Sequence, residues 1–309
     1  MAVGLNGAAG CARWLGLAAL RWRSQPADRV VPRFRWAASA PTARLIRSAV
    51  RWLEKSNFTR KKKMSNNAKR IEEASLNAWP ALQQVIYDGW ILRFSKGYTK
   101  RANSITPLFK SSIDLAEKIE VCERRYQDQN LLPIFRLPSI APEKLDQYLL
   151  EMGYSKIDPT WVMQMELKGR EFRLREEVEF CENQFESWLE NYSSWNNTDP
   201  EQKDLHAKIL NAIPTEMIFA SVKRDSKTVA CGLGVIEDEY VGIFDLITAP
   251  EERRQGFGTN LLNGILQWSQ TKGATCAYLQ VMMNNKIAWR MYQRTGFENL
   301  YHYWYRVRE

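Results

Sequence analysis

A short segment with two arginines and two glycines carries the strongest chemical signal in this chain. Residues 253–259 read RRQGFGT and lie between an apolar run at 241–248 and a stretch with apolar residues at helical spacing. The start of a helix exposes unpaired N–H groups and the positive end of the helix dipole, which together attract anions. Gly256 and Gly258 lack the Cβ atoms that would keep a ligand away from the backbone, and the arginines add positive charge. The segment is therefore predicted to bind a pyrophosphate group.

The familiar nucleotide-binding motifs do not describe this segment. A Walker A loop requires Gly-Lys-Ser/Thr, which is absent here, and a Rossmann fingerprint requires a third glycine and a strand that ends directly at the first one. A second motif follows further along the chain, where residues 285–292 read NKIAWRMY and Gly296-Phe297 comes soon after. The two motifs together are far more specific than the spacing Arg-x-x-Gly-x-Gly alone.

Both motifs are similar to those of the GNAT superfamily of N-acetyltransferases. Residues 245–262, DLITAPEERRQGFGTNLL, resemble the acyl-CoA pyrophosphate loop of that superfamily over their whole length. The segment NKIAWRMY with the later Gly-Phe resembles the motif near the end of the superfamily's domain. The resemblance implies an enzyme that moves an acetyl group from acetyl-CoA to a primary amine, which attacks directly. It also implies that acetyl-CoA, as co-substrate, lies between two splayed parallel strands, here 241–248 and 274–282.

The resemblance also implies which residues bind the cofactor. Backbone groups of Leu246, Ile247 and Thr248 would face the thioester and the pantetheine arm. The pyrophosphate would be held by Arg253, Arg254, Gln255, Gly256, Phe257, Gly258 and Thr259. Arg253 is a weaker candidate for pyrophosphate binding than Arg254, because it could be a solvated surface charge. Asn285 would contact the cofactor, although it could equally be the N-terminal cap of a helix.

Two residues are predicted to move protons. Tyr292 would protonate the departing thiolate, although an aromatic residue on an apolar helix face is more often part of a core. Many relatives carry an acid five residues before the asparagine, where this chain has Gln280, which cannot titrate. Asp245 occupies the other position where relatives often carry a carboxylate, and an acid inside an apolar strand is costly unless it is paired or functional. Asp245 is therefore the predicted general base.

Other functions remain open from the sequence. A non-catalytic acyl-CoA-binding or sensing protein is the alternative to an enzyme. The cofactor-binding loop is intact, but Gln280 cannot act as a general base, so the chain could bind acyl-CoA without catalysis. The acceptor would be an amine-bearing small molecule or protein, and no residue names it. Neither a nucleic acid nor a membrane is expected as a partner: residues 64–309 hold 30 Lys and Arg against 33 Asp and Glu, and no apolar run is long enough to cross a bilayer. Nucleic-acid binding through residues 1–63 is a third hypothesis, which requires this basic segment to be present in the mature protein.

The cysteine and histidine content limits the chemistry and the compartment. Five widely spaced cysteines without a Cys-x-x-Cys pair are typical of reduced thiols in a cytoplasmic protein. Cys231 and Cys276 are expected to pack as small apolar residues rather than to act as nucleophiles. With two histidines in the chain and no His-Glu-x-x-His motif, no metal site is predicted.

The first 63 residues differ in composition from the rest of the chain. They hold 14 Lys and Arg against two acidic residues, so they carry all of the net charge of +9. This composition is typical of an organellar transit peptide, which would place the protein in an organelle matrix. Alternatively, translation begins at Met64 and the upstream stretch is a wrongly assigned start. Residues 1–63 are expected to be disordered in either case.

Two parts of the chain repeat one order of elements. Strand, helix, strand, helix, strand is predicted over 102–108, 113–127, 132–137, 142–151 and 160–167, and again over 241–248, 258–272, 274–282, 286–295 and 301–307. Both parts leave a helix through a glycine and an aromatic residue, with a tryptophan seven residues later. Two helices at 184–190 and 200–211, and two strands at 216–223 and 228–236, precede the second part.

These elements predict an α/β fold with a mixed sheet, built from tandem GNAT-like acyl-CoA N-acyltransferase units. Residues 1–63 form the extension, 64–170 the first unit and 171–309 the second, with the splayed parallel strands in the second. The first unit has no Arg-x-x-Gly-x-Gly where its helix starts, so it resembles a degenerate unit without cofactor that walls one side of the substrate cleft. This arrangement resembles a group of bacterial GNAT proteins.

Overall fold

A computed structural model describes residues 66–141, 143–181 and 185–308. The helices are α1 (66–77), α2 (Leu115–Gln127), α3 (Glu143–Glu151), α4 (Glu186–Trp195), α5 (Pro200–Asn211), α6 (Phe257–Thr271) and α7 (Lys286–Thr295). The strands are β1 (Gln83–Tyr87), β2 (Trp90–Phe94), β3 (Ile105–Pro107), β4 (Ile134–Pro138), β5 (Ser155–Glu166), β6 (Val178–Cys181), β7 (Glu216–Arg224), β8 (Lys227–Glu237), β9 (Tyr240–Thr248), β10 (Cys276–Met282) and β11 (Glu298–Val307). Short 3-10 helices lie at Lys100–Ala102 and Pro250–Glu252. The predictions for residues 1–63 lie outside the described ranges.

One mixed sheet contains all eleven strands of the described ranges, in the order β1-β2-β3-β4-β11-β5-β10-β9-β8-β7-β6. We call β1 to β5 the N-terminal half and β6 to β11 the C-terminal half. Each half holds one parallel pair, β3 with β4 and β9 with β10. The last strand of each half then pairs across the boundary, since β5 lies antiparallel to β10 and β11 lies antiparallel to β4. The mixed α/β sheet predicted from the sequence is confirmed, with its two terminal strands exchanged between the halves.

The parallel strands β9 and β10 separate partway along their length. They pair from Cys276 opposite Tyr240 to Leu279 opposite Ile243, and no pairing follows beyond that point. Both strands nevertheless continue, β9 as far as Thr248 and β10 as far as Met282. The predicted splay is therefore present, and it leaves a gap that opens toward the carboxyl ends of the two strands.

Helices cover both faces of the sheet in the C-terminal half. Leu261 and Ile265 of α6 pack with Val241 and Ile243 of β9 on one face, where all four side chains are buried. On the other face, apolar residues of α1, α4 and α5 pack with Phe219, Leu233 and Phe244. A sheet covered on both sides explains why β8 and β9 read as nearly continuous apolar runs in the sequence. Residues 66–308, where described, contain no helix long and apolar enough to cross a membrane.

The strand predicted over 102–108 is wrong in its first part, since β3 contains only Ile105–Pro107. The preceding residues form a 3-10 helix, Lys100–Ala102, closed by the side chain of Asn103. The Oδ1 atom of Asn103 accepts hydrogen bonds from the N–H groups of Ser95 and Gly97, and its Nδ2 atom donates to the carbonyls of Tyr98 and Thr99. These bonds fold the segment into a compact loop instead of an extended strand.

The sequence also missed the β1–β2 hairpin and the edge strand β6, which the structure adds at the two ends of the sheet. Most of β1 is exposed on both faces, so it lacks the alternation of apolar and polar residues that identifies a strand. The remaining predicted elements are present, with bounds that differ by a few residues.

Candidate active site

Asp245 lies where β9 leaves its neighbours. Its φ angle is +50°, in the left-handed region, and the register with β8 shifts between the pairs Cys231–Ile247 and Leu233–Phe244. Two residues on one strand against one on the other form a β-bulge, which bends the strand. The bulge follows directly after the last β9–β10 pair, at Ile243. The sequence detects the unusual charge at 245 but contains no signal for the bulge.

The carboxylate of Asp245 is paired with a buried histidine. Nε2 of His206, in α5, lies 2.9 Å from Oδ2 of Asp245, and the side chains are 0% and 5% exposed, respectively. When a carboxylate is ionised it only accepts hydrogen bonds, and in that state Nε2 of His206 is the donor to Asp245. The imidazole ring packs against the rings of Trp79, Tyr98, Trp188 and Tyr192. Sequence reasoning missed His206, which is 39 residues from Asp245 and whose proximity only the fold produces.

Residues Leu246 to Thr248 line the gap between the splayed strands. Ile247 and Thr248 pair with β8 on one side, opposite Cys231 and Ala230. On the side of β10 this stretch has no ladder partner, because the parallel pairing ends at Ile243. The backbone groups on that side can therefore hydrogen-bond to an extended ligand placed between β9 and β10.

The N-terminus of α6 is open to an anion. Gly256 is the N-terminal cap of α6 with φ +96°, and no side chain caps the helix. The first N–H groups of an α-helix have no partner within the helix. A Cβ on Gly258 would lie 3.3 Å from Oγ1 of Thr248, so glycine lets the start of α6 come close to the end of β9. The helix start therefore aims unpaired N–H donors at the end of the gap.

The other residues of the loop differ in how they are held. Nε of Arg253 donates to the carbonyl of Thr248 at 3.3 Å, whereas Arg254 is exposed and has φ +66°. The side chain of Gln255 donates to Glu252 and accepts from Arg224. Phe257 is buried, so it offers only its backbone to a ligand. Thr259 lies half-buried in the first turn of α6.

A further arginine reaches this loop from the segment between the halves. Nη1 of Arg175 lies 3.6 Å from the position that a Cβ on Gly256 would take. The segment is fixed to α6 by Asn260, whose Oδ1 accepts from the N–H of Arg175 at 2.6 Å and whose Nδ2 donates to the carbonyl of Glu176 at 3.0 Å. Arg175 thus adds positive charge near the start of α6, which its distance in the sequence had hidden.

Helix α7 holds the two remaining predicted residues. Oδ1 of Asn285 accepts from the N–H of Ala288 at 3.1 Å, so Asn285 caps α7. Tyr292 is 8% exposed and packs its ring against Phe297. Burial raises the pKa of Tyr292 to about 12, so its phenol carries its proton at neutral pH. A protonated phenol can serve as a general acid.

A cavity of about 210 Å³ lies beside the free end of β10. Gln280 and Met282 of β10, Asp158 and Thr160 of β5, and Tyr303 of β11 contribute to its wall. Oε1 of Gln280 accepts from the hydroxyl of Tyr303 at 2.8 Å, which fixes the amide in the wall. The strands exchanged between the halves therefore build this cavity, together with the 3-10 helix Lys100–Ala102.

In the N-terminal half, Asp114 caps the start of α2, and the loop ahead of it binds a second carboxylate of the chain itself. Asp88 accepts hydrogen bonds from the hydroxyl of Ser111 and from the N–H groups of Ser112 and Ile113, in the loop that leads into α2. The buried ammonium of Lys118 lies 3.0 Å from the same carboxylate. The hydrogen bond from the Ser111 hydroxyl has the largest effect, and together these bonds hold the pKa of Asp88 well below its usual range. The N–H groups of Ser112 and Ile113 are thus already bound, and α2 has a side-chain cap, whereas α6 has none.

Comparisons with known proteins agree with this geometry. Residues 66–306 match the family model described as "Probable histone acetyltransferase Rv0428c C-terminal". The chain is 26% identical over 250 residues to the uncharacterized N-acetyltransferase YobR of Bacillus subtilis (strain 168), which covers 79% of this chain and 99% of that protein. No group of three or more His, Cys, Asp or Glu side chains in the described ranges is placed to hold a metal ion.

Solved structures share the fold. A GCN5-related N-acetyltransferase from Kribbella flavida superposes with a TM-score of 0.60 at 19% identity, over 78% of this chain and 95% of that chain. A tandem GNAT protein from the clavulanic acid biosynthesis pathway gives 0.51 at 9% identity, over 60% of this chain and 67% of that chain. Together with the family match over most of the chain, these findings show that the chain belongs to the family of the Rv0428c C-terminal region and is a GNAT-type N-acetyltransferase.

Proposed function

We propose that this enzyme transfers the acetyl group of acetyl-CoA to a primary amine by direct attack. The observation that carries the proposal is the gap between β9 and β10, which ends at the uncapped start of α6. The gap offers backbone groups to an extended arm, and the helix start offers N–H donors to a pyrophosphate. Acetyl-CoA combines these two features in one molecule, with its thioester at the far end of the arm.

The residues of the chain fit the binding of that co-substrate. Leu246, Ile247 and Thr248 would bind the pantetheine arm through their backbone, and the residues from Arg254 to Thr259 would bind the pyrophosphate. Arg253 contributes less, because its Nε already donates to Thr248. Arg175 would add charge beside Gly256. Asn285 both caps α7 and keeps its Nδ2 group for the cofactor.

Two residues would carry the protons of the reaction. The amine nitrogen forms a bond to the carbonyl carbon of the thioester, the C–S bond breaks, and the products are an acetamide and the free thiol. Asp245, oriented by His206, would accept the proton that the nitrogen loses. Tyr292 would give a proton to the departing sulfur, because its raised pKa keeps it protonated. The net transfer of one proton from nitrogen to sulfur balances the reaction.

The two halves of the chain would have different functions. The C-terminal half would bind acetyl-CoA, and the N-terminal half would act as a degenerate unit, since Asp88 binds the N–H groups of the loop before α2 and Asp114 caps that helix. Its strand β5 and the 3-10 helix Lys100–Ala102 would instead form part of the acceptor site beside β10. The acceptor is a small molecule or a protein, and the family description names histones as one protein possibility.

Calorimetry with acetyl-CoA tests the proposed site. The variant Gly256→Glu with Gly258→Glu places two carboxylates at the helix start, where they repel the pyrophosphate. We expect the wild-type chain to bind acetyl-CoA and the variant to bind at least about 100-fold more weakly.

The matched control is Gly273→Glu. Gly273 also has a positive φ, +88°, but it follows the other end of α6 and nothing lies within 4 Å of its Cβ position. It therefore introduces the same charge and the same kind of backbone strain away from the site. Binding that survives in the double variant would exclude this location for the pyrophosphate. Binding without release of CoA in the presence of any amine would favour the sensing alternative.

A further inference from the structure

The cavity beside β10 contains one cation that forms no salt bridge with a described side chain. Two basic residues from the 3-10 helix, Lys100 and Arg101, contribute to its wall. Nζ of Lys100 lies 3.1 Å from the carboxylate of Asp158, so these two charges cancel at the rim. Within the described ranges, Arg101 has no carboxylate within salt-bridge distance, and its guanidinium donates no hydrogen bond. Among the described residues of the cavity wall, Arg101 is therefore the basic side chain without a salt-bridge partner.

The guanidinium of Arg101 lies over an aromatic surface. Its Cζ atom lies 5.0 Å from the centre of the Trp79 ring and 6.0 Å from that of Phe244. Contacts at these distances attract the cation to the rings and do not use its N–H donors. Phe244 directly precedes Asp245 in β9, so the cation stands close to the proposed base. Consistent with this, burial lowers the pKa of Arg101, but Tyr303, Tyr305 and Asp245 outweigh it and raise the pKa overall.

The backbone that presents Arg101 is also fixed. The carbonyl of Arg101 accepts a hydrogen bond of 2.8 Å from Nη1 of Arg93, which is buried. The Trp79 indole donates to Oγ1 of Thr99 at 3.2 Å, and Asn103 closes the loop around the 3-10 helix. Because the backbone that carries Arg101 is fixed, less entropy is lost when its side chain binds an anion.

We propose that the acceptor carries a carboxylate near its amine and that Arg101 binds this carboxylate. A guanidinium offers two parallel N–H donors that match the two oxygens of a carboxylate. One cation without a salt-bridge partner suits a group with one negative charge, whereas the negative charges of Asp158 and Asp245 nearby disfavour a doubly charged phosphate more strongly than a carboxylate. A volume of about 210 Å³ suits a molecule of amino-acid size. The enzyme would thus N-acetylate a small amino acid or a close analogue. This inference rests on the proposed function.

The test pairs each standard L-amino acid with its α-carboxamide and measures the release of the CoA thiol. The carboxamide keeps the amine and the side chain and removes only the negative charge. We expect the wild-type enzyme to prefer one or more acids over the matching amides by at least about tenfold in kcat/KM, the size of one charge-assisted hydrogen-bonded pair. Arg101→Gln should raise the KM for that acid at least tenfold and remove the preference, with the KM for acetyl-CoA unchanged.

The control variant is Lys96→Gln, which removes a positive charge from the same loop at an exposed position away from the cavity wall. It should leave the preference unchanged. Amides that react as well as acids, a preference for an amine without a carboxylate such as polylysine, or an unchanged preference in Arg101→Gln would each overturn the inference. So would acetyl-CoA binding without turnover of any amino acid. If the proposed function itself were wrong, the wild-type chain would not bind acetyl-CoA in calorimetry. This result distinguishes that failure from the outcomes above.

Discussion

Asp245 illustrates how a single charge is accommodated inside an apolar strand. Transfer of a lone carboxylate from water into a protein core costs several kcal/mol, so a buried acid requires a partner. His206 donates to Asp245 at 2.9 Å, and the bulge at 245 moves the strand away from β10. Nδ1 of His206 is buried and has no hydrogen-bond partner among the described residues. The pairing with His206 therefore orients the carboxylate of Asp245. Kinetics of variants tests the role of Asp245 in proton transfer.

Asp245→Asn and Tyr292→Phe probe the two ends of the proposed proton transfer. The asparagine keeps an acceptor for His206 but cannot take a proton, and the phenylalanine keeps the packing against Phe297 without a hydroxyl. Each change is expected to lower kcat by about 100-fold or more, the usual contribution of a general acid or base, with the Kd for acetyl-CoA unchanged. Because the pKa of Tyr292 is raised to about 12, kcat should not decline near pH 10 through loss of this proton.

Steady-state kinetics between pH 6 and 10.5, in parallel with calorimetry, provides the measurement. A Tyr292→Phe variant with wild-type kcat would leave Tyr292 as a core residue, which was the alternative from the sequence. An Asp245→Asn variant with wild-type kcat would assign Asp245 a purely structural role as the partner of His206.

At the scale of elements, the loops before α2 and α6 hold equivalent places in the two halves but differ in what binds their N–H groups. In each half a loop leads from a parallel strand into a helix, α2 in one and α6 in the other. The loop before α6 contains two glycines and keeps its helix start uncapped. The loop before α2 contains two serines and donates its N–H groups to Asp88. An internal carboxylate thus takes the position of an external anion, so α2 is stabilised at the expense of a binding site.

Asp88→Asn is expected to remove a stabilising contribution that depends on pH. The folded-state pKa of Asp88 lies below its usual value of about 3.9, so the contribution is fully present above about pH 4 and is lost as the pH falls below that value. The variant should therefore have a lower Tm than the wild type at pH 5 to 7, and the difference should shrink toward pH 3. Thermal unfolding followed by circular dichroism measures both curves.

The control is Asp114→Asn, which changes an acid at the start of the same helix, where asparagine is an equally good cap. It should have little effect on Tm at any pH. A constant difference between Asp88→Asn and the wild type from pH 3 to 7 would contradict the assignment of the stabilisation to the charge of Asp88.

At the scale of the whole molecule, the exchanged strands join the two halves. β5 lies between β10 and β11, and β11 lies between β5 and β4, so each terminal strand has neighbours from the opposite half. A buried hydrogen bond crosses the same boundary, since the hydroxyl of Tyr301 in β11 donates to Glu72 of α1, whose carboxylate also binds Arg136 of β4. Neither half can complete its hydrogen-bonded sheet alone.

Separate expression of residues 64–170 and 171–309 tests this dependence. We expect neither fragment to unfold cooperatively by itself, since each would expose a terminal strand with no partner and an open parallel strand. Mixing the two fragments should restore a cooperative transition and acetyl-CoA binding. Calorimetric unfolding of each fragment and of the mixture gives the answer. A cooperative transition in either isolated fragment would indicate that the halves are autonomous domains, joined only by their linker.

The sequence by itself determined the features that depend on neighbouring residues. Helices α5 and α7 were predicted with their observed bounds, because caps and apolar spacing are local signals, and the glycines at 256 and 258 indicated the open start of α6. The family resemblance rested on the same local motifs. Only the tertiary structure decided which distant residues meet: His206 with Asp245, Arg175 with Gly256, and Arg101 with the cavity beside β10. The bulge in β9 places Asp245, the side chain of Asn260 fixes the segment of Arg175, and the exchange of β5 and β11 builds the cavity wall. A bulge and contacts between residues far apart in the chain leave no periodic trace in the sequence.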